Sequence, residues 1–561
     1  LNYKTYCLKN LRTYFIFLSF AFIVGCSKCS HEQPKPIVLV EEPEMVNEEI
    51  NKLIREQFEN TDTASYLVIA DDTLFATKFI SQIYTQRNFV LLWTNQGLPV
   101  QQTDSMLQLL NKIEQYGLLQ KDYHYQKIDS LIHTQKDTLT KKFDAVKLYE
   151  ADVLLTDAFL TLMVHVSKGR FNADSLTLEW HPEKMDTNLV NLFTYGFQNN
   201  NFQSVIDSIE PQDSVYQSLK LALYNYKLEF INSDWDSLAS RESDSLTFKE
   251  RLKNRLIASH DYYDNFSGND SIKLLKAIKN FQCKHNLVED GKVGKLTFKA
   301  LQMTKQDYIR QIELNMERCR WTSPPTDKQY VWVNLPKYEM KVIEADTLVM
   351  KSRVIVGAAK TPTPLLKSTI RYFIIYPYWT VPFSIATKEI LPILKRDTSY
   401  LRRKNFEVLD GNNRVVDPSI IKWKKYSINY FPWKLRQRIG DDNSLGILKF
   451  NFNNKYGVYM HDTDNRKLFA REMRALSHGC VRLEKFIDFA TFLIRDDSIK
   501  YPVDSLKADL LKEQQKYVYI KRPIPVYFNY FTVETSNDYP ILFFIDMYRR
   551  DEKMLKALYK N

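Results

Sequence analysis

Glycine is scarce, with 14 among 561 residues, which excludes collagen-like and glycine-rich low-complexity architectures. Cysteine is scarcer, at Cys7, Cys26, Cys29, Cys283, Cys319 and Cys480. The last three lie in the part expected to fold. They show no CxxC or Cys/His ligand spacing, so no zinc site is expected. A Cys283–Cys319 bridge would suit an exporting compartment, but the spacing leaves it open. Beyond the N-terminus no run of eighteen apolar residues occurs, so no second membrane span is expected. The net charge of +11 is spread along the chain without a basic arm, a basic helix or a nucleic-acid motif. Nucleic acid is therefore not an expected partner. A mild basic excess suits a carboxylate-rich polyanion instead.

The N-terminus begins with Lys4, Lys9 and Arg12, followed by the apolar stretch Tyr14 to Val24 and then Gly25-Cys26. A charged start and a short apolar core read as an export signal. A small residue before cysteine at that point resembles a bacterial lipoprotein box. That resemblance implies a signal peptide over 1–25, lipidation at Cys26, attachment to a membrane and a periplasmic location. Residues 26–60 are polar with early prolines and read as a flexible tether.

From 61 to 245 the pattern is helical. Ser105 to Tyr116 and Ala145 to Val166 carry apolar residues at three- and four-residue spacing. The recurrent Asp-Ser pairs at 129, 174, 207, 213, 236 and 244 read as turns and helix starts. Residues 265–305 form a compact helical unit. Ile272, Leu275, Ile278 and Phe281 fall on one face, Asp290-Gly291 makes a turn, and a short helix follows through Leu296, Ala300 and Leu301. This unit is similar to the small peptidoglycan-binding module.

After Pro324-Pro325 the pattern becomes β. Tyr330 to Asn334, Tyr338 to Val342, Lys351 to Gly357 and Arg371 to Tyr376 are short runs rich in Val, Ile, Tyr and Phe. Residues from about 385 to 446 read as an insertion within a β-rich domain over 325–555. Pro523 to Val533 and Ile541 to Ile545 read as a closing strand pair. The fold class expected is α+β and multidomain: a helical scaffold, a small helical module, and a mainly β domain with a capping insertion.

Within that last domain there is one cysteine, Cys480, and there are two histidines, His461 and His478. A thiolate is an effective acyl nucleophile, and an imidazole beside it takes its proton. His478 sits two residues before Cys480, about 6.6 Å away along an extended chain, too far for a direct hydrogen bond. His461 follows an apolar strand, and from an adjacent antiparallel strand it would lie within reach of the thiol. His461 is thus the expected base, and His478 the expected brace of the loop. The Gly479 and Cys480 N–H groups are the expected oxyanion donors, and the glycine allows close approach of a carbonyl. A papain-like or NlpC-type peptidase would place cysteine before histidine, the reverse of the order here. A non-catalytic wall-binding lipoprotein is the other alternative.

Tyr459-Met460-His461-Asp462-Thr463, then Ser477-His478-Gly479-Cys480-Val481-Arg482, resembles the L,D-transpeptidase signature. Tyr376 to Pro382, Asn443-Ser444-Leu445-Gly446 with Lys449-Phe450, Gln86-Arg87-Asn88-Phe89 with Leu92-Trp93, and Leu155 to Ala158 resemble its large periplasmic subgroup. The resemblance implies Cys480 as nucleophile and His461 as acid/base. The Asp462 backbone carbonyl would orient the ring. Arg482, Ser477, His478 and Tyr459 would lie on the substrate side, with Arg482 pairing a substrate carboxylate. It further implies 3→3 crosslinking of peptidoglycan stems through a thioester, carbapenem sensitivity and no cofactor. Water or a D-amino acid as acceptor would make the same site a carboxypeptidase or an exchange enzyme.

Overall fold

The computed structural model describes residues 37–59, 67–134, 142–171, 188–233, 235, 238, 245–322, 325–497, 499–536 and 540–558. Cys7, Cys26, Cys29 and the apolar N-terminal run lie outside them. The chain divides into two compact units, Leu1–Lys220 and Leu221–Asn561.

The first unit is helical and centred on α1 (Ala145–Lys168), which is buried on almost every side. A helix apolar all round has to sit inside a core. The Asp144 side chain accepts from the Val146 and Lys147 N–H groups at its start. The polar residues that α1 buries serve the surrounding chain. Asp152 accepts from the N–H groups of Leu92 and Trp93 and from the Tyr84 hydroxyl. Asp157 accepts from the Phe75 and Ala76 N–H groups at a helix start. Pro43–Phe58, expected within the tether, is a helix that buries Val46, Ile50, Leu53, Ile54 and Phe58 in this core. Those apolar positions recur at helical spacing between charged residues, a period that the polar average hides. Of the Asp-Ser pairs, Asp213-Ser214 starts a helix, with the carboxylate accepting from the Val215 and Tyr216 N–H groups. The pairs at 129 and 207 lie inside helices, and those at 174, 236 and 244 include undescribed residues.

In the second unit, α2 (Asp270–Lys284) and α3 (Lys295–Leu301) form the small module. Its buried face is Leu274, Ala277, Ile278 and Phe281. Ile272 and Leu275, expected on that face, are largely exposed and lie over Gly268 and Gly291, where any Cβ would meet them. Cys283 and Cys319 are not joined by a disulfide.

A nine-stranded sheet follows among the described residues. Its strands are β1 (Gln329–Asn334), β2 (Glu339–Glu344), β3 (Thr347–Gly357), β4 (Leu366–Ile375), β9 (Leu448–Phe452), β10 (Met460–His461), β11 (Ala475–Ser477), β12 (Val481–Leu483) and β13 (Lys516–Asn529). Strands β5 to β8 lie between β4 and β9 in the chain and form the cap described below. The order is β11-β3-β12-β10-β9-β4-β13-β1-β2, and β2 pairs back onto β3, giving a barrel-like closure. Strand β13 pairs with β4 and β1, not with Ile541 to Ile545. Only Val533–Glu534 forms a ribbon with Leu542–Phe543.

Alternation sorts the two faces of the sheet. Phe373, Ile375, Leu448, Phe450, Met460, Val481, Leu483, Val518 and Ile520 point into one core. The residues between them point the other way. The cap over that second face carries β5 (Trp379–Thr380), β6 (Phe406–Leu409), β7 (Val415–Val416) and β8 (Lys434–Gln437), in the order β5-β8-β6-β7. Its own core includes Val381, Leu391, Leu394, Val408, Trp423 and Leu435. The insertion therefore starts at Trp379, a little before the expected boundary.

Candidate active site

Strand β10 lies between β9 and β12. His461 pairs across to Lys449 on one side and Arg482 on the other. The β10–β12 pairing is parallel, where the sequence reading placed an antiparallel neighbour. The residue before each strand, Tyr459 and Cys480, extends this second face. Together these residues line a cleft of about 620 Å³ beneath the cap, with Trp379, Ile385, Ile390, Tyr400 and Phe406 opposite. Lys449 lies behind the lining, its ammonium 3.9 Å from the Tyr459 ring centroid.

The loop carrying Cys480 is fixed by its neighbours. The Ser477 hydroxyl donates to the Cys480 carbonyl at 2.5 Å and accepts from the Gly479 N–H at 3.2 Å. The Gly479 N–H, an expected oxyanion donor, is thus paired with the Ser477 hydroxyl in this structure. Ser477, which also lines the cleft, ties this loop together through its hydroxyl. From the turn after β3, Thr361 and Thr363 donate to the Ser477 and Gly479 carbonyls at 3.0 and 2.8 Å. Gly479 has φ +117°, and a Cβ there would meet nothing closer than 3.8 Å. Its need for glycine is conformational, not one of space.

His478 does not brace this loop from within. It is half exposed, and its Nε2 lies 2.7 Å from Glu389 Oε1 on the π-helical turn Ala386–Ile390 of the cap. Asp462 is fully buried. Its carboxylate accepts from the Arg466 guanidinium at 3.0 and 2.6 Å and from the Ile447 N–H at 3.1 Å. It fills the space where a Cβ on Gly446 (φ +61°) would sit. The Asn443-to-Gly446 run and the Asp462 side chain are thus one packing unit, directed away from the imidazole.

The electrostatics keep both partners neutral at rest. Burial, then the charges of Arg482 and Lys449, push His461 down to about 3, against the Asp462 and Leu445 carbonyls, which favour the protonated ring. Its Nδ1 is buried without a well-aligned hydrogen bond. Burial pushes the Cys480 thiol up, while hydrogen bonding from Tyr459 and the charges of Lys449 and Arg482 pull it down. Arg482 donates to Thr463 Oγ1 at 3.3 Å, and among the described residues no carboxylate forms an ion pair with it. A thiol, a neutral imidazole and an accessible guanidinium in one cleft can carry acyl transfer to and from sulfur on a carboxylate-bearing substrate. The sequence reading quoted Lys449 and Trp379 without a role. Their positions depend on strand register, which the sequence alone does not display.

The fold and cleft define a barrel-like β domain with a capped thiol–imidazole site. Residues 328–503 match the family model of the L,D-transpeptidase catalytic domain. The chain therefore carries an L,D-transpeptidase-family catalytic domain. Residues 78–223 match a scaffold domain, and residues 250–301 a domain described as "Putative peptidoglycan binding domain". A Haemophilus influenzae protein named "Putative L,D-transpeptidase" is 34% identical over 257 residues, covering 44% of this chain and 52% of that protein. The chain thus spans about half the length of that curated relative. Two solved structures also align. The L,D-transpeptidase (Yku) of Stackebrandtia nassauensis has 18% identity and a TM-score of 0.21, over 53% of this chain and 97% of that one. The Ldtfm–avibactam carbamoyl enzyme has 11% identity and a TM-score of 0.17, over 55% and 97%.

Proposed function

We propose that the chain is an exported enzyme that crosslinks peptidoglycan stems 3→3 through a Cys480 thioester. The observation that carries this reading is the register that sets His461 beside Lys449 and Arg482 in the cleft holding Cys480. The donor is a tetrapeptide stem. As Cys480 S attacks the carbonyl of its third residue, His461 takes the thiol proton and passes it to the departing D-Ala amine. The C–N bond breaks and a thioester remains. The side-chain amine of a second stem then attacks the thioester, and its proton returns the sulfur to a thiol. The Cys480 N–H faces the oxyanion. Arg482 holds a donor carboxylate by a bidentate bond. The cap limits water, which favours amine over hydrolysis. Lipidation at Cys26 would hold the enzyme at a membrane in the periplasm. No described helix is long and apolar enough to cross one.

Mass analysis of muropeptides after incubation with purified protein tests this. A 3→3 dimer that depends on Cys480 is the expected product. Tripeptide alone would reassign the site to a carboxypeptidase. Exchange of the terminal D-Ala alone would make it an exchange enzyme.

A further inference from the structure

The face of the sheet that bears His461 does not end at the cleft. Across the strands, His461 pairs with Lys449, Lys449 with Ile374, and Ile374 with Tyr517. One row along, Asn451 pairs with Tyr372, and Tyr372 with Tyr519. Alternation puts all of these on one surface, opposite the apolar core. At its far side the three tyrosines form a continuous aromatic patch. The Tyr372 ring centroid lies 5.3 Å from that of Tyr519 and 6.0 Å from that of Tyr517. Tyr517 is 51% exposed and Tyr519 is 69% exposed.

An exposed aromatic cluster of this kind is informative where a single exposed apolar side chain is not. The electron-rich ring faces attract the polarised C–H edges on the apolar face of a pyranose. Three interstrand steps of about 4.8 Å, roughly 14 Å, separate the strand that Cys480 precedes from that of Tyr372, and a fourth leads to Tyr517 and Tyr519. In the donor proposed above, three residues lie between the attacked carbonyl and the sugar. An extended peptide of that length spans about 10 Å, and the lactyl link carries the sugar ring further along the same line. Asn451 lies on that path.

We propose that Tyr372, Tyr517 and Tyr519 form a platform that binds the N-acetylated sugar of the glycan strand carrying the donor stem. The proposal rests on the donor assignment made above. It turns an enzyme of short peptides into one that reads peptide and sugar together, and it sets the direction in which a stem enters the cleft.

The test uses the full chain with Cys480→Ser, so that a disaccharide-tetrapeptide binds without reacting. Saturation-transfer NMR should show protein contact to the sugar N-acetyl protons. In Cys480→Ser/Tyr517→Ser/Tyr519→Ser that contact should weaken, with the contribution of the peptidoglycan-binding module common to both proteins. With Cys480 intact, the ratio of acylation rates on sugar-bearing and sugar-free tetrapeptide should fall about tenfold in the double tyrosine variant. The exposed single variant Tyr519→Ser, with an unaltered thermal melt, should lower the ratio in the same direction. An N-acetyl signal equal in both proteins, or an unchanged ratio, overturns the platform. A chain that acylates neither donor overturns the proposed reaction, and the NMR comparison then decides the platform independently.

Discussion

Among the described residues each compact unit buries two histidines, and one from each, His124 and His461, sit in opposite surroundings. In the helical unit, His124 lies between Asp72 and Asp157, at 2.9 and 3.0 Å. Burial alone would lower its pKa, but bonding and charge from the two carboxylates outweigh it and raise the ring to about 9. In the catalytic domain, His461 lies between Arg482 and Lys449, and burial and charge act together to bring it down to about 3. The same side chain is a fixed cation in one unit and a neutral base in the other. Burial does not choose between these roles. The sign of the flanking charges does.

The sharpest break of this contrast is at the neutral ring. His461→Ala should slow acylation by a carbapenem about a thousandfold, and Cys480→Ser should abolish the adduct in intact-mass spectra. The His461 variant should recover at high pH, where the thiolate forms without a base. In the intact enzyme the acid limb of acylation should lie well below pH 6.5, because His461 protonates only near its lowered pKa. An adduct on Cys283 or Cys319 would displace the whole site.

Next comes the cation of the helical unit. Asp157→Asn leaves buried His124 short of one carboxylate and should cost about 3 kcal/mol in urea unfolding, with little change in the pH profile of acylation. The two histidines should also tie stability to pH with opposite signs. The folded pKa of His124 lies above its unfolded value. Its contribution of up to about 3 kcal/mol is therefore complete below about pH 6.5 and fades as pH rises through about 9. The folded pKa of His461 is depressed, so its domain loses stability as pH falls from about 6.5 towards about 3. Hydrogen-exchange protection, corrected for intrinsic rates and resolved by unit, measures both slopes. Parallel slopes would dissolve the comparison.

A smaller effect belongs to Lys449, the cation on the β9 side of His461. Lys449→Met should raise the thiol pKa, because it removes a charge that favours the thiolate, read from the pH dependence of Cys480 alkylation. No shift would mean that Arg482 alone supplies the field. Smallest of all is Glu389→Gln, which releases His478 from the cap. It should change the partition between crosslinking and hydrolysis about twofold. A loss as large as that of His461→Ala would make His478 the base.

Much of this architecture was legible because it is written in local pattern. Short Val/Ile/Tyr runs marked the strands, the three- and four-residue spacing of Ala145 to Val166 marked the central helix, and the His461 and Cys480 strings marked the catalytic domain. What stayed hidden depends on pairing. Nothing local to Tyr459–His461 says that its neighbour near Cys480 runs parallel, or that Lys449 will face it. Gly479 was read for the space it leaves, but its φ and the bond from its N–H to Ser477 appear only once the loop closes. The helix at Pro43–Phe58 was hidden by charged residues on its solvent side.

The closure of the sheet has a consequence in time. Strands β1 to β3 form a local meander, but β12 must slot between β3 and β10, and β13 arrives about 180 residues after β1 to pair with it. Contacts so distant in sequence form late. Until they do, β1 and β3 present open edges that invite mispairing. A newly made chain would therefore pass through an interval in which these edges are vulnerable, and the cleft holding Cys480 and His461 would be complete only when the last strands are in place.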